Sequence, residues 1–91
     1  LRGLRRVRHS ADVGPATRSQ SALALAIAYA AASRFEESLL EGLTALARAR
    51  EAGHPRGEHA CLTFLGRLYA MMSRPEEASR LREAAAGVTF A

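Results

Sequence analysis

Three side chains with metal-ligating or nucleophilic chemistry, His54, His59 and Cys61, fall within eight residues of one another. Two imidazoles and a thiolate are zinc donors, but no second cysteine or spaced carboxylate completes a tetrahedral set, and His54 stands in a loop before Pro55. The same three read as a loop histidine, a helix-start histidine and a core cysteine, so no metal is expected. A nucleophilic Cys and His pair is no better supported, because Cys61 falls within an apolar helix and no third group orients a base. Glu36/Glu37 and Glu76/Glu77 are adjacent carboxylates. Neighbours in sequence point in different directions on a helix, and acids suit a helix's first turn, where the macrodipole is positive. No phosphate-cradling or dinucleotide-binding glycine pattern is present. These readings point away from an enzyme and away from any cofactor.

All thirteen basic residues are arginine, and they are unevenly placed. Residues 1–20 hold Arg2, Arg5, Arg6, Arg8 and Arg18 against Asp12, whereas residues 21–91 hold eight arginines against eight glutamates. The net charge of +4 therefore belongs to the N-terminal segment. Its arginines, beside Leu1, Leu4 and Val7, could meet phosphate or an acidic partner, with affinity that falls steeply with salt. The preferred reading is a solvated outer face of a helix whose apolar residues dock onto the next repeat, and no aromatic is interleaved for base stacking, so nucleic acid is not the expected partner.

The elements behind these residues are helical. Hydrophobic residues make up 48% of the chain and aromatics 5%, with alanine and leucine dominant, which favours closely packed helices over a β-sandwich. The sequence also repeats itself. Tyr29-Ala30-Ala31-Ala32-Ser33-Arg34-Phe35-Glu36-Glu37 recurs forty residues later as Tyr69-Ala70-Met71-Met72-Ser73-Arg74-Pro75-Glu76-Glu77, and Leu25 pairs with Leu65. Leu1-Arg2-Gly3-Leu4 pairs with Leu40-Glu41-Gly42-Leu43 at offset 39, and Pro15 with Pro55 at offset 40.

Helical periodicity follows the same division, giving helices near 1–12, 17–32, 35–52, 57–72 and 75–86. Leu39, Leu40, Leu43, Leu46 and Ala47 form one broad stripe on the third of these. Gly53 ends that helix and Pro55 cannot continue it, while Pro75 suits a first turn. The expected domain plan is residues 1–13 as the second helix of a preceding repeat, 14–53 as a complete repeat, and 54–91 as a second repeat with a short tail. With Leu1 in the place of an initiator methionine, the chain reads as a fragment of a longer array.

Leu62-x2-Leu65-Gly66-x2-Tyr69 followed by Ala78, and the earlier Ala22-x2-Leu25-Ala26-x2-Tyr29 followed by Ser38, resemble the tetratricopeptide repeat pattern. The resemblance covers nearly the whole chain. The forty-residue spacing and the stretch from Ala52 to Ala60 are similar to the long-helix variety found in bacterial signalling ATPases, transcription regulators and polarity adaptors. Ser33, Ser73, Gly42 and Arg82 depart from the family pattern, which often has glycine at the first two positions and a large apolar residue at the others. The resemblance implies antiparallel helix-turn-helix repeats forming a short right-handed superhelix of about five helices. It also implies that the first helix of each repeat lines a concave face.

On that mapping the partner-binding residues are Gln20, Leu23, Ile27 and Ala31 in one repeat and Thr63, Arg67, Ala70 and Met71 in the next. The implied ligand is a peptide or amphipathic helix of another protein, in a bacterial signalling or regulatory setting. The chaperone-binding members clamp a carboxylate with lysine and asparagine, and this chain has neither. Leu23 and Ile27 could equally pack on neighbouring helices of the array. The second reading is a structural segment, self-associating or capping through apolar ends, Leu1, Leu4 and Val7 at one and Leu81, Val88 and Phe90 at the other. A single cysteine excludes an internal disulfide and no apolar run is long enough to cross a bilayer, so the expected setting is the cytoplasm, off the membrane.

Overall fold

The computed structural model describes residues 14–89, and those residues are all-helical. Four helices run in order: α1 (Pro15–Ala31), α2 (Phe35–Glu51), α3 (Pro55–Met71) and α4 (Pro75–Gly87). The helix expected near 1–12 lies outside the described residues. α1 packs along α2, α3 along α4, α2 also on α3, and α1 touches α3. The result is a thin stack of 53 × 34 × 14 Å, with a radius of gyration of 14.9 Å against about 12 Å for a compact globule of this length.

A single local rule generates this arrangement. Each of the first three helices has 17 residues and each is followed by a three-residue turn, so a new helix starts every twenty residues. The middle residue of each turn is left-handed: Ser33 at φ 62°, Gly53 at φ 60° and Ser73 at φ 61°. That conformation folds the chain back so that the N–H groups of Arg34, His54 and Arg74 donate to the carbonyls of Tyr29, Ala49 and Tyr69 at 2.8, 3.0 and 2.9 Å. The turn residues themselves donate to Ala30, Arg50 and Ala70, which satisfies carbonyls that a helix end leaves without a partner.

The helix starts at Pro15 and Pro55 fall two residues earlier than the expected 17 and 57. Proline lacks an N–H, but the first helical position has no acceptor for one, and the fixed φ of the ring suits the helix. Pro55 therefore opens α3 as Pro75 opens α4.

Small residues set the interhelical spacing in the first hairpin. Ser38 on α2 donates to the Ala26 carbonyl on α1 at 2.7 Å, and Ser19 on α1 donates to the Ala45 carbonyl on α2 at 2.7 Å. Each bond links residues whose numbers add to 64, as an antiparallel pair in constant register requires, and the two lie two turns apart. In the second hairpin the corresponding positions are Gly66 and Ala78, where a Cβ added to Gly66 would lie 3.5 Å from the Ala78 carbonyl oxygen. Alanine or glycine thus replaces the serine clamp by direct backbone approach.

The expected leucine stripe on α2 needs correction. The buried residues of α2 are Ser38, Gly42, Ala45, Leu46 and Ala49, while Leu40 and Leu43 are exposed. Helix α2 is covered by both α1 and α3, and that approach selects small side chains rather than leucines. Leu65 explains Gly42: a Cβ at Gly42 would lie 2.8 Å from Leu65 Cδ2 and 3.3 Å from Phe64 Cε2. The core centres on α3, whose Cys61, Leu62, Leu65 and Leu68 are buried. Leu81 and Val88, expected as a sticky end, pack against that core instead, and Phe90 lies outside the described residues.

Candidate functional site, a groove between the first helices of the two hairpins

Helices α1 and α3 open to solvent along an apolar groove of about 540 Å³. Leu23, Ile27 and Ala30 line it from α1, one face of that helix at helical spacing. His59, Ala60, Thr63, Phe64, Arg67 and Met71 line it from α3. From His59 to Met71 the α3 wall runs about 18 Å at the helical rise, enough to lie beside three turns of a second helix.

The rotation of α1 and α3 about their axes decides what the groove presents. α1 commits Ser19, Ala22 and Ala26 to its interface with α2, and α3 commits Cys61, Leu62, Leu65, Gly66 and Leu68 to the core. The residues between those faces remain, and among them Ile27 is 51% and Met71 52% exposed. Leu23 and Phe64 are half-buried at the groove base and pack against the core cluster. Phe64 also abuts Gly42, so the groove wall is braced from behind by α2.

Electrostatically the groove is one-sided. Arg67 is exposed in its wall; among the described residues no acidic one lines the groove, and Arg67 takes part in none of the ion pairs. Those pairs, Arg34 with Glu37, Arg48 with Glu51 and Arg50 with Glu58, all involve residues outside the lining. Arg34 also sits over the Tyr29 ring at 5.2 Å, and its bond to Glu37 holds the Glu37 carboxyl below its ordinary value.

Five of the eight expected partner-binding residues, Leu23, Ile27, Thr63, Arg67 and Met71, come together in this groove. Gln20 and Ala31 are exposed but do not line it. Ala70 lines a separate depression with Ser73, Pro75, Ala78, Ser79 and Arg82. Sequence reasoning passed over Ala30, His59, Ala60 and Phe64. Ala30 shares the apolar periodicity of Leu23 and Ile27, and His59, Ala60 and Phe64 precede Arg67 and Met71 by whole turns, so the signal was the periodicity carried one turn further.

The residues that suggested metal or nucleophilic chemistry are held apart. His59 lines the groove, His54 stands just before α3 with no side-chain capping bond, and Cys61 is fully buried. Among the described residues no group of three His, Cys, Asp or Glu side chains is placed to hold an ion. Burial pushes the Cys61 thiol up, away from the reactive thiolate. Cys61 Sγ lies 3.9 Å from Ser19 Oγ, whose hydrogen is given to the Ala45 carbonyl, so the thiol is left to donate to the hydroxyl oxygen. No helix among the described residues is long and apolar enough to cross a membrane.

Comparison with protein-family models, with curated proteins and with solved structures returns no match.

Proposed function

We propose that the chain is a protein-interaction module of the tetratricopeptide type, whose α1–α3 groove holds an amphipathic helix of a partner protein. The observation that carries this reading is the groove itself: Ile27 and Met71, each about half exposed, face solvent across an apolar channel that no acidic side chain of the described residues lines. Stable monomers seldom leave large apolar side chains facing each other across a cleft unless something covers them. Two further observations support the reading. The groove lies between the first helices of two hairpins built on the same forty-residue pattern, and the register of both hairpins is locked by small residues, which gives a preformed shape.

The chemistry of the lining selects the occupant. Its apolar face would lie on Leu23, Ile27, Phe64 and Met71, with a carboxylate placed to meet Arg67. Ile27→Glu and Met71→Glu are expected to abolish capture of such a helix while leaving the helical circular dichroism unchanged. Arg67→Glu should weaken an acidic ligand at least tenfold and spare an uncharged one. Undiminished capture by both glutamate variants would place the binding face elsewhere.

A further inference from the structure

The outward side of α2 is an apolar surface that neither the core nor the groove uses. Leu40 is 67% and Leu43 42% exposed, and with the exposed Ala47 they form a seam spaced three and four residues apart. That seam lies on the opposite side of the helix from Ser38 and Gly42, which meet α1 and α3. Forty residues on, α4 carries Arg80, Glu83 and Gly87 at the same places, so the repeat pattern does not itself call for leucines there. Leu43 also walls a shallow depression of about 190 Å³ with Tyr69 and Leu81, which extends the apolar surface toward α4.

The charges beside this seam say what can cover it. Arg34, Glu36 and Glu37 precede the leucines, and Arg48, Arg50 and Glu51 follow them. Laid antiparallel on a copy of itself, the helix sets each of these charges against its opposite. Arg34 meets Glu51 and Glu37 meets Arg48, with residue numbers adding to 85, and Glu36 meets Arg50, adding to 86. The same register sets Leu40 against the small Ala47, adding to 87, and Leu43 beside its twin on the two-fold axis. Helical spacing puts Glu36 and Arg50 to one side of the seam and Glu37, Arg48 and Glu51 to the other, and in such a pair each side meets the same side of the second copy. The bonds Arg34–Glu37 and Arg48–Glu51 would then close with those of the second copy into rings of alternating charge. A parallel pair would set every charge against its like.

We propose that a second copy of the chain covers the outward side of α2, as a two-fold antiparallel α2–α2 dimer centred on Leu43. The dimer is independent of the groove, whose lining belongs to α1 and α3, and of the chain's ends. A pair of 17-residue helices is about 25 Å long, a contact smaller than a standard interface, so the association is weak and reversible.

Sedimentation equilibrium of the full chain from about 1 µM to about 1 mM tests this. A monomer–dimer equilibrium is expected, and a monomer throughout that range would overturn the proposal. Leu43→Glu brings two carboxylates together at the axis and should weaken association at least tenfold, with the circular dichroism of the dilute chain unchanged. The charge order is tested separately. Glu36→Arg alone and Arg50→Glu alone should each weaken self-association several-fold, while an equimolar mixture of the two variants should recover the native affinity. In the mixed dimer the two substituted positions face each other at one end and the native pair remains at the other, so recovery is not open to a chain that has merely misfolded. A mixture as weak as its components would overturn the antiparallel register. A dimer that Leu43→Glu leaves intact and Ile27→Glu dissociates would overturn the proposal by assigning self-association to the groove.

Discussion

Serine in a left-handed conformation is a local expense that two of the three turns carry. An L side chain at φ near +60° brings Cβ against the following carbonyl, at a cost of about 1–2 kcal/mol that glycine avoids. Ser33 and Ser73 sit at φ 62° and 61°, where Gly53 occupies the matching place at φ 60°. Ser33→Gly and Ser73→Gly should therefore each raise stability by about 0.5–1 kcal/mol, once the greater freedom of glycine in the unfolded chain is deducted. Gly53→Ala should lower it by a similar amount. Urea denaturation midpoints at constant slope measure all three.

Cys61 gives a second prediction at this scale. Its thiol is raised above the ordinary value of 9.0 by burial, so the folded chain holds the proton more tightly than the unfolded one. The corresponding stability is intact below pH 9.0 and falls as pH rises through and beyond that value, because the unfolded chain ionises first. Unfolding midpoints should drop more steeply between pH about 8 and about 10 in the native chain than in Cys61→Ala. Reaction of Cys61 with thiol reagents should be limited by opening of the fold.

At the scale of the element, the contacts between helices are decided by pairs of small and large residues. Gly42 exists for Leu65: even a methyl group there would lie 2.8 Å from Leu65 Cδ2. Gly42→Ala should cost about 1–3 kcal/mol through overpacking, despite the higher helix propensity of alanine, which taken alone would stabilise by about 1 kcal/mol. Stabilisation by Gly42→Ala, read from thermal melts, would show that α2 and α3 have slack between them. The serine clamps act at the same scale but weigh less. Ser38→Ala removes one hydrogen bond to the Ala26 carbonyl, for a loss of about 0.5–1.5 kcal/mol. The exposed arginine–glutamate pairs add little beside these contacts, because solvent and salt screen them.

For the molecule as a whole, cohesion is sequential and unequal. Helix α3 touches the three other described helices and holds most of the fully buried leucines, whereas α1 and α4 each sit at an edge of the described stack. In a stack bound through nearest neighbours, opening starts at the edges and reaches the middle last. Backbone amide exchange should accordingly be slowest in α3, faster in α2 and α4, and graded toward the C-terminal end of α4. Uniform protection across the four helices would mean that the stack unfolds as one cooperative unit. The same thinness that makes stability uneven leaves the α1–α3 groove open, since a closed globule of these helices would have buried Ile27 and Met71.

Much of this was legible in the residues. Tyr29 and Tyr69, with the identical Ser-Arg turns after them, announce two copies of one hairpin, and proline at 15, 55 and 75 marks where helices restart. The all-helical class and the approximate ends of the helices follow from such local signals, because turn geometry and helix periodicity depend on near neighbours. The burial of α2 did not follow. Leu40 and Leu43 look like core by periodicity and are exposed, while Ser38 and Gly42 look like poor core and are buried. Periodicity counts apolar side chains, but a helix flanked on two sides is selected for how closely its neighbours can approach. The groove divides in the same way. Helical spacing brought Leu23, Ile27, Thr63, Arg67 and Met71 onto one side of their helices, yet the inclusion of Phe64 and Ala30 and the exclusion of Gln20 and Ala70 rest on how α1 and α3 are set against their neighbours, Ala70 lying toward α4. That setting is a property of packed backbones, fixed by contacts between residues far apart in the chain.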